Sequence, residues 1–100
     1  MKILEPYRAR IDALDEEIVE LLAKRLAIIR EVGELKFREN IPAVLHDRVE
    51  EVREHAASIA VQRGIDPDLV RRLYTILIDY SCNLEEDIKS ALASSRKTGT

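Results

Sequence analysis

A seven-residue repeat of apolar positions near the N-terminus constrains this fold more than any other feature. One row of the repeat holds Leu4, Ile11, Ile18, Arg25 and Val32, and the companion row holds Tyr7, Leu14, Leu21, Ile28 and Leu35. Apolar residues at this spacing share one face of an α-helix. The repeat therefore predicts a single long helix from about Ile3 to about Arg38.

Arg25 stands in this seam where a leucine or an isoleucine is expected. A guanidinium keeps its proton in proteins and is costly to bury without a partner. The partner could be a carboxylate on a neighbouring helix, with the aliphatic stem of Arg25 packed in the seam. It could equally be an anionic ligand, and the pattern alone leaves both interpretations open.

Composition narrows the class of protein. One hundred residues with three Gly and three Pro predict one all-α domain. The 16 basic and 19 acidic residues are mixed, and no basic stripe with interleaved aromatic residues predicts nucleic-acid binding. We also expect no membrane segment and no signal peptide. The single cysteine, Cys82, argues against a disulfide scaffold and favours the cytoplasm.

Two further helices are predicted from their end signals. Helix 2 is expected to begin near Asp47, with Glu50 completing a capping box, and to end at Gly64. Asp66–Pro67 is a strong start signal for helix 3. The predicted apolar side of helix 2 is Val49, Val52, Ala56, Ile59 and Ala60. The predicted buried side of helix 3 is Val70, Leu73, Tyr74, Leu77, Ile78, Ser81, Leu84, Ile88 and Leu92. We expect a helical domain over residues 1–93 and a frayed tail over residues 94–100.

The length of the first helix predicts a homodimer. At 1.5 Å per residue it would be about 55 Å long, whereas a compact domain of this size has a diameter of roughly 35 Å. Two shorter helices cannot cover its whole seam, so we expect two long helices to pack against each other. A kink at Gly33 is the alternative way to shorten the helix.

Three cations on helix 1 suggest an anion site. Arg25 and Lys36 are eleven residues apart, so they share a face and stand about 16 Å apart along the axis. Their long side chains could lean together around a small anion. Arg8 lies about 25 Å from Arg25, and could approach this site only from the other protomer of an antiparallel pair. Taken singly, Lys36 is typical of a solvated lysine and Arg8 of a surface arginine.

Helix 3 places polar residues on its apolar side. Ser81 and Glu85 are four residues apart and therefore neighbours. Alternatively, the Ser81 hydroxyl bonds back to the carbonyl one turn earlier, and Glu85 is an exposed acid. Arg48 could be a surface ion-pair partner of Glu51 or Glu50.

The sequence offers little sign of a metal site, a reactive nucleophile or a nucleotide-binding motif. His46 and His55 lack a companion Cys/His cluster, so we expect no metal site. Cys82 has no evident base nearby and is expected to be a small core residue. The sequence contains no P-loop and no Gly-rich dinucleotide motif. A cofactor-free enzyme and a non-catalytic helical interaction module both fit these observations.

The ordered motifs resemble the all-helical (AroQ-type) chorismate mutases over about residues 4 to 92. These motifs are Arg8-x-x-Ile11-x-x-Leu14-Asp15, Leu21-Leu22-Ala23-x-Arg25, Val32-Gly33-x-x-Lys36, Pro42, Asp47-Arg48 and Leu77-Ile78-x-x-Ser81-x-x-x-Glu85. The resemblance implies an intertwined homodimer of three-helix protomers without a cofactor. It also implies conversion of the dicarboxylate chorismate to prephenate.

The resemblance also implies a role for each matching residue. Arg25 would bind a substrate carboxylate within the protomer, and Arg8 would reach the other carboxylate across the dimer. Lys36 would bind a carboxylate and the ether oxygen. Arg48 and Ser81 would line the pocket. Glu85 occupies the position where many relatives carry a glutamine that donates to the ether oxygen.

Three departures from the family pattern affect this reading. Glu85 can donate a hydrogen bond only when protonated, so activity is expected to be higher at acidic pH, and Glu85→Gln should flatten that dependence. Val49 stands where a typical member has a glutamate that contacts the ring hydroxyl, and Leu45 stands where many have an aspartate. Isochorismate pyruvate lyases and aminodeoxychorismate mutases share the cations, so those activities stay open alongside a non-catalytic dimer.

Overall fold

The protein is all-α, as the sequence predicts. The computed structural model describes residues 1–98, and within that range it has three α-helices and no strand. A short 3-10 turn, Lys2–Leu4, precedes α1 (Glu5–Arg38). The other two helices are α2 (His46–Gln62) and α3 (Pro67–Thr98). The predicted long N-terminal helix is confirmed, and Gly33 does not interrupt it.

The ends of α1 follow from two local signals. Pro6 lies in the first turn, where its missing N–H leaves no hydrogen bond unmade. At the other end, Asn40 takes a positive φ of 56°. This left-handed residue lets the Ile41 N–H donate back to the Lys36 carbonyl at 2.8 Å. The arrangement is a Schellman motif in which asparagine replaces the usual glycine.

The predicted capping box at the start of α2 is wrong. The helix begins one residue earlier, at His46, with Leu45 as its N-cap and no side-chain cap. Asp47 therefore falls inside the first turn, where its carboxylate interacts favourably with the positive end of the helix dipole. Glu50 instead pairs with Arg53 at 2.5 Å, one turn further along the same helix.

The turn between α2 and α3 forms as the sequence predicts. Gly64 has a φ of 73°, and the Ile65 N–H donates to the Ala60 carbonyl at 2.9 Å. The side chain of Asp66 then caps α3 by accepting a hydrogen bond from the Asp68 N–H at 2.9 Å. These caps satisfy backbone groups that would otherwise be exposed at the helix ends.

The described core is small, and α3 lies at its centre, because α3 contacts both α1 and α2. Its buried apolar residues are Ala43, Ala56, Ala57, Ala60 and Ile78. Three of them are alanines of α2, which allow that helix to pack close to α3. The contacts Arg25–Ser81 and Gly33–Ile88 advance together along both helices, so α1 and α3 run parallel.

The protomer leaves most of its heptad seam uncovered. Its extents are 64 × 29 × 15 Å and its radius of gyration is 18.0 Å, against roughly 13 Å for a compact chain of this length. Every residue from 1 to 20 is exposed. The exposed seam residues are Leu4, Tyr7, Ile11, Leu14, Ile18, Leu21, Ile28 and Leu35.

The prediction that Leu73 is buried is also wrong in the protomer. Leu73 is 52 % exposed and belongs to an apolar strip on α3 that neither α1 nor α2 covers. The strip consists of Leu69, Leu73, Ile76 and Tyr80. Its spacing of three and four residues keeps these side chains on one face of the helix.

The frayed tail expected over residues 94–100 stays a prediction. The α3 helix continues through residues 94–98, beyond the expected domain end at residue 93. Residues 99 and 100, also part of the predicted tail, lie outside the described range. None of the helices in residues 1–98 combines the length and apolar character needed to cross a membrane.

Candidate active site

Arg25 leaves the seam of α1 to meet α3. Its Nη1 donates a hydrogen bond to the Ser81 hydroxyl at 2.8 Å. The same hydroxyl donates to the Leu77 carbonyl at 2.7 Å, so the predicted bond to the carbonyl one turn earlier is confirmed. The guanidinium also lies 5.9 Å from the ring centroid of Tyr74. Among the side chains that the structure describes, Arg25 forms no ion pair.

Lys36 of α1 also reaches α3, where it meets Glu85 one turn beyond Ser81. Its Nζ lies 2.6 Å from Oε1 of Glu85 and donates to the Ala43 carbonyl at 2.9 Å. The two charged side chains are only 14 % and 6 % exposed. The alternatives of a solvated Lys36 and an exposed Glu85 are therefore both wrong.

Oε1 of Glu85 has an unmet hydrogen-bonding requirement. The atom is buried, and no donor of hydrogen-bond geometry reaches it among the described residues. The Lys36 ammonium is close enough for an ion pair, but the angles at that contact are not those of a hydrogen bond. Buried polar atoms in this condition are uncommon and often mark functional sites.

Gly33 explains how the two helices come close enough to form the site. A Cβ at this position would lie 3.2 Å from Cδ1 of Ile88 and 3.4 Å from Cα of Glu85. The bare glycine therefore lets α1 approach the backbone of α3 at the level of Glu85. Lys36 follows one turn later on α1 and reaches the carboxylate from there.

Two predicted cations lie outside this cluster. Arg48 is exposed at the start of α2 and pairs with Glu51, as one of the alternatives predicted. Arg8 is exposed on the N-terminal part of α1, about 25 Å along the axis from Arg25. The protomer thus brings together Arg25, Lys36, Ser81 and Glu85 and leaves Arg8 and Arg48 apart.

Val49 lies in a groove of about 360 Å³ between the start of α2 and α3. The groove is lined by Val44, His46, Val49, Ile78, Asp79, Cys82 and Asn83. Burial raises the pKa of the Cys82 thiol, and the nearby charge of Glu85 raises it further. Cys82 is half-buried and a free thiol, which agrees with the predicted structural role.

Sequence reasoning missed three groups at this site. Tyr74 precedes Ser81 by two helical turns on the same face, so its contact with Arg25 could have been inferred from spacing. The Ala43 carbonyl carries no side-chain signal. Lys89, whose Nζ donates to the Ile41 carbonyl at 2.6 Å, follows Glu85 by one turn and resembles any helix-surface lysine.

A family model for chorismate mutase type II matches residues 7–86, which include Arg8 at one end and Glu85 at the other. The chain belongs to the type II chorismate mutase family. The match covers all of α2 and parts of α1 and α3, so the three-helix fold described above is that of a family member.

Several curated relatives of this chorismate mutase domain carry related names. A 4-amino-4-deoxychorismate mutase from Streptomyces pristinaespiralis is 36 % identical over 84 % of this chain and 65 % of the relative. One of the same name from Streptomyces venezuelae is 29 % identical over 87 % and 84 %, respectively. A bifunctional chorismate mutase/prephenate dehydratase from Aquifex aeolicus is 31 % identical over 100 % of this chain and 28 % of the relative.

Proposed function

We propose that this chain catalyses the Claisen rearrangement of chorismate to prephenate. The observation that carries the proposal is that two α1 cations, the part-buried Arg25 and the largely buried Lys36, reach Ser81 and Glu85 on adjacent turns of one α3 face. Each cation keeps donors that its described partners do not use, because a guanidinium has five N–H groups and an ammonium has three. A dicarboxylate held between them would neutralise a site that is otherwise costly to bury.

Arg25 binds one substrate carboxylate in this proposal. The hydrogen bond to Ser81 and the contact with the Tyr74 ring fix the plane of the guanidinium. A fixed plane suits the two parallel hydrogen bonds that a carboxylate accepts from arginine. Such a clamp restricts the flexible substrate to the compact, chair-like conformer from which it rearranges.

Lys36 and Glu85 act on the ether oxygen, where negative charge grows as the C–O bond breaks. Lys36 uses an N–H that its hydrogen bond to the Ala43 carbonyl leaves free, while its charge stays paired with Glu85. Glu85 donates from its protonated form, which gives its buried oxygen the hydrogen-bond partner that it lacks. Preorganised donors aimed at a developing charge lower the barrier without a nucleophile, a metal or a cofactor.

The active unit in this proposal is an intertwined homodimer. The exposed seam over residues 1–20 supports it, because burying one isoleucine or leucine there contributes about 1.5–3 kcal/mol. In an antiparallel pair of α1 helices, Arg8 of one protomer reaches the second carboxylate at the site of the other. Arg48 joins the same site after exchanging Glu51 for the substrate.

A second candidate is the rearrangement of 4-amino-4-deoxychorismate. The Streptomyces relatives carry that name, and the apolar Val49 stands where a typical family member has a glutamate for the ring hydroxyl. Both substrates present the same two carboxylates, so the cation cluster serves either one. The difference is confined to the C4 substituent.

The proposed function is tested by offering the purified protein chorismate and 4-amino-4-deoxychorismate at pH 5 and pH 7.5. Prephenate formed from chorismate, with the larger kcat/KM, supports the first candidate. A larger kcat/KM on the amino substrate selects the second. If neither compound is rearranged and a rigid bicyclic dicarboxylate produces no thermal stabilisation, the chain is a non-catalytic helical module.

The free, half-buried thiol of Cys82 also supports our proposal of a cytoplasmic location, where thiols stay reduced.

A further inference from the structure

We propose that Lys89 is a positioning residue that orients Lys36 through the loop between α1 and α2. The inference rests on the proposed function, in which Lys36 touches the ether oxygen. Lys89 itself lies on α3, one turn beyond Glu85, and does not need to contact the substrate. It acts by holding a backbone segment from which Lys36 takes its direction.

The first step is the contact between Lys89 and the loop. Its ammonium donates to the Ile41 carbonyl at 2.6 Å, across 48 positions of sequence. This is a charge-assisted hydrogen bond to a neutral acceptor, and such bonds are shorter and stronger than neutral ones. Lys89 is half-buried, so water competes less for this bond than at an open surface.

The second step is the contact between the loop and Lys36. The Ala43 carbonyl, two residues beyond Ile41, accepts a hydrogen bond from the Lys36 ammonium at 2.9 Å. Ala43 is 3 % exposed, so this carbonyl is packed in place. Pro42, between the two carbonyls, has a fixed φ and limits how far one can move without the other.

The third step closes the arrangement. The Ile41 N–H donates to the carbonyl of Lys36 itself at 2.8 Å. Ile41 is therefore held by α1 through its N–H and by α3 through its carbonyl. With the loop fixed, the Lys36 ammonium is held by its hydrogen bond to the Ala43 carbonyl and by its ion pair with Glu85, and these two contacts restrict where its free N–H groups point. A lysine on a flexible four-carbon stem lacks such direction without fixed acceptors.

The test compares three variants of the full chain. Lys89→Met removes the charge and keeps the chain length, and Lys89→Arg restores a cationic donor. Arg63→Met removes an exposed charge at the far end of α2 as a matched control. We expect Lys89→Met to lower kcat about tenfold with less than a threefold change in KM, since binding energy is retained while a transition-state contact is misdirected. Lys89→Arg should recover at least half of the loss, and Arg63→Met should match the wild type.

Hydrogen exchange of the loop amides, at residues 40, 41 and 43–45, gives a readout independent of turnover. We expect exchange about tenfold faster in Lys89→Met than in Arg63→Met, with exchange in α1 unchanged. A double-mutant cycle with Lys36→Met then tests the route of action. It is read by binding of the rigid bicyclic dicarboxylate as a transition-state analogue, which reports the transition-state contact and not substrate binding. Lys89→Met should weaken binding in the wild-type background and have no further effect once Lys36 is gone.

The outcomes separate the two proposals. Unchanged kcat and unchanged loop exchange in Lys89→Met overturn the positioning role, as does an equal loss of binding with and without Lys36. A loss of activity that tracks only a fall in Tm reduces Lys89 to a stabilising contact and also overturns it. If the wild type rearranges no substrate, the proposed function fails, and the binding cycle and loop exchange still decide whether Lys89 directs Lys36.

Discussion

The two halves of α1 carry the same heptad pattern but have opposite surroundings. In the C-terminal half, Arg25, Gly33 and Lys36 all meet α3 at close range. In the N-terminal half, every residue up to residue 20 is exposed, although the seam there is more regular and purely apolar. The half with Arg25 in its seam is thus packed against α3 on one side, although Leu21 and Ile28 stay exposed there. The other half is not packed within the protomer at all.

This difference shows what a hydrophobic repeat specifies. The repeat predicts a helix with one apolar face, but it does not indicate which surface covers that face. An exposed apolar face of this length is typical of a surface that binds another protein chain. In our account the second copy supplies that surface, so that the packed half holds the reacting groups and the exposed half completes the site of its partner.

The largest effect is expected from Arg25→Ala in the packed half. Removing a charged donor that clamps a substrate carboxylate should lower kcat/KM by about a thousandfold, while the dimer persists. Arg30→Ala, which removes an exposed arginine from the same helix, is the control and should retain full activity. Steady-state kinetics and sedimentation of both variants test this. Unaltered turnover in Arg25→Ala would remove this residue from the site.

The next effect is expected from the exposed half. Ile18 and Val19 are neighbours with similar exposure, 55 % and 64 %, but only Ile18 lies on the seam. Ile18→Asp removes about 1.5 kcal/mol of burial from each of two copies, so dimerisation should weaken by roughly a hundredfold. Activity should fall with the dimer fraction, whereas Val19→Asp should change neither. Light scattering across a dilution series measures both, and equal behaviour of the two variants would show that the seam is not the interface.

A smaller effect is expected from pH. Because only a protonated Glu85 can donate to the ether oxygen, kcat should be higher at pH 5 than at pH 7.5. Glu85→Gln donates at every pH, so its profile should lose that acid rise. Rate profiles of both proteins over this range provide the test. An identical slope in the two would mean that Glu85 does not supply the donor.

The smallest effect concerns the reactivity of a half-buried thiol on α3 and of an exposed thiol introduced on α1. Burial raises the pKa of the Cys82 thiol, so less thiolate is present at pH 8 and alkylation should be slower than for an exposed cysteine. Val19→Cys places a thiol on the exposed half, off the seam, and should react faster than Cys82 in the same molecule. Mass spectrometry after timed iodoacetamide treatment resolves the two sites. Equal rates would contradict the burial of Cys82.

Local signals predicted much of the fold. The Asp66–Pro67 start of α3, the Gly64 end of α2 and the termination of α1 near Asn40 all form as expected, because each depends on residues within one turn. The capping box at Asp47 failed because the helix starts at His46, and a shift of one residue moves a cap into the first turn. Leu73 was expected to be buried because spacing does not reveal whether a partner covers a face.

The candidate site was predictable only in part. Arg25 could be predicted as a site residue because its charge interrupts an apolar row of α1. Ser81 and Glu85 could be predicted because they are polar residues on the apolar side of α3. The partners of these residues depend on how α1 and α3 pack, which spacing along one helix cannot give. The Ala43 carbonyl and Lys89 were missed for this reason, since one is a backbone group and the other resembles a surface lysine.

The central claim is that the exposed half of α1 carries Arg8 into the site of a second copy. The most direct test mixes inactive Arg8→Ala and Arg25→Ala proteins after both are shown to fold and dimerise. Random exchange makes half of the dimers mixed, and each mixed dimer has one site with both arginines intact, so activity should recover to about a quarter of wild type. A mixture that exchanges subunits yet stays inactive would contradict the claim.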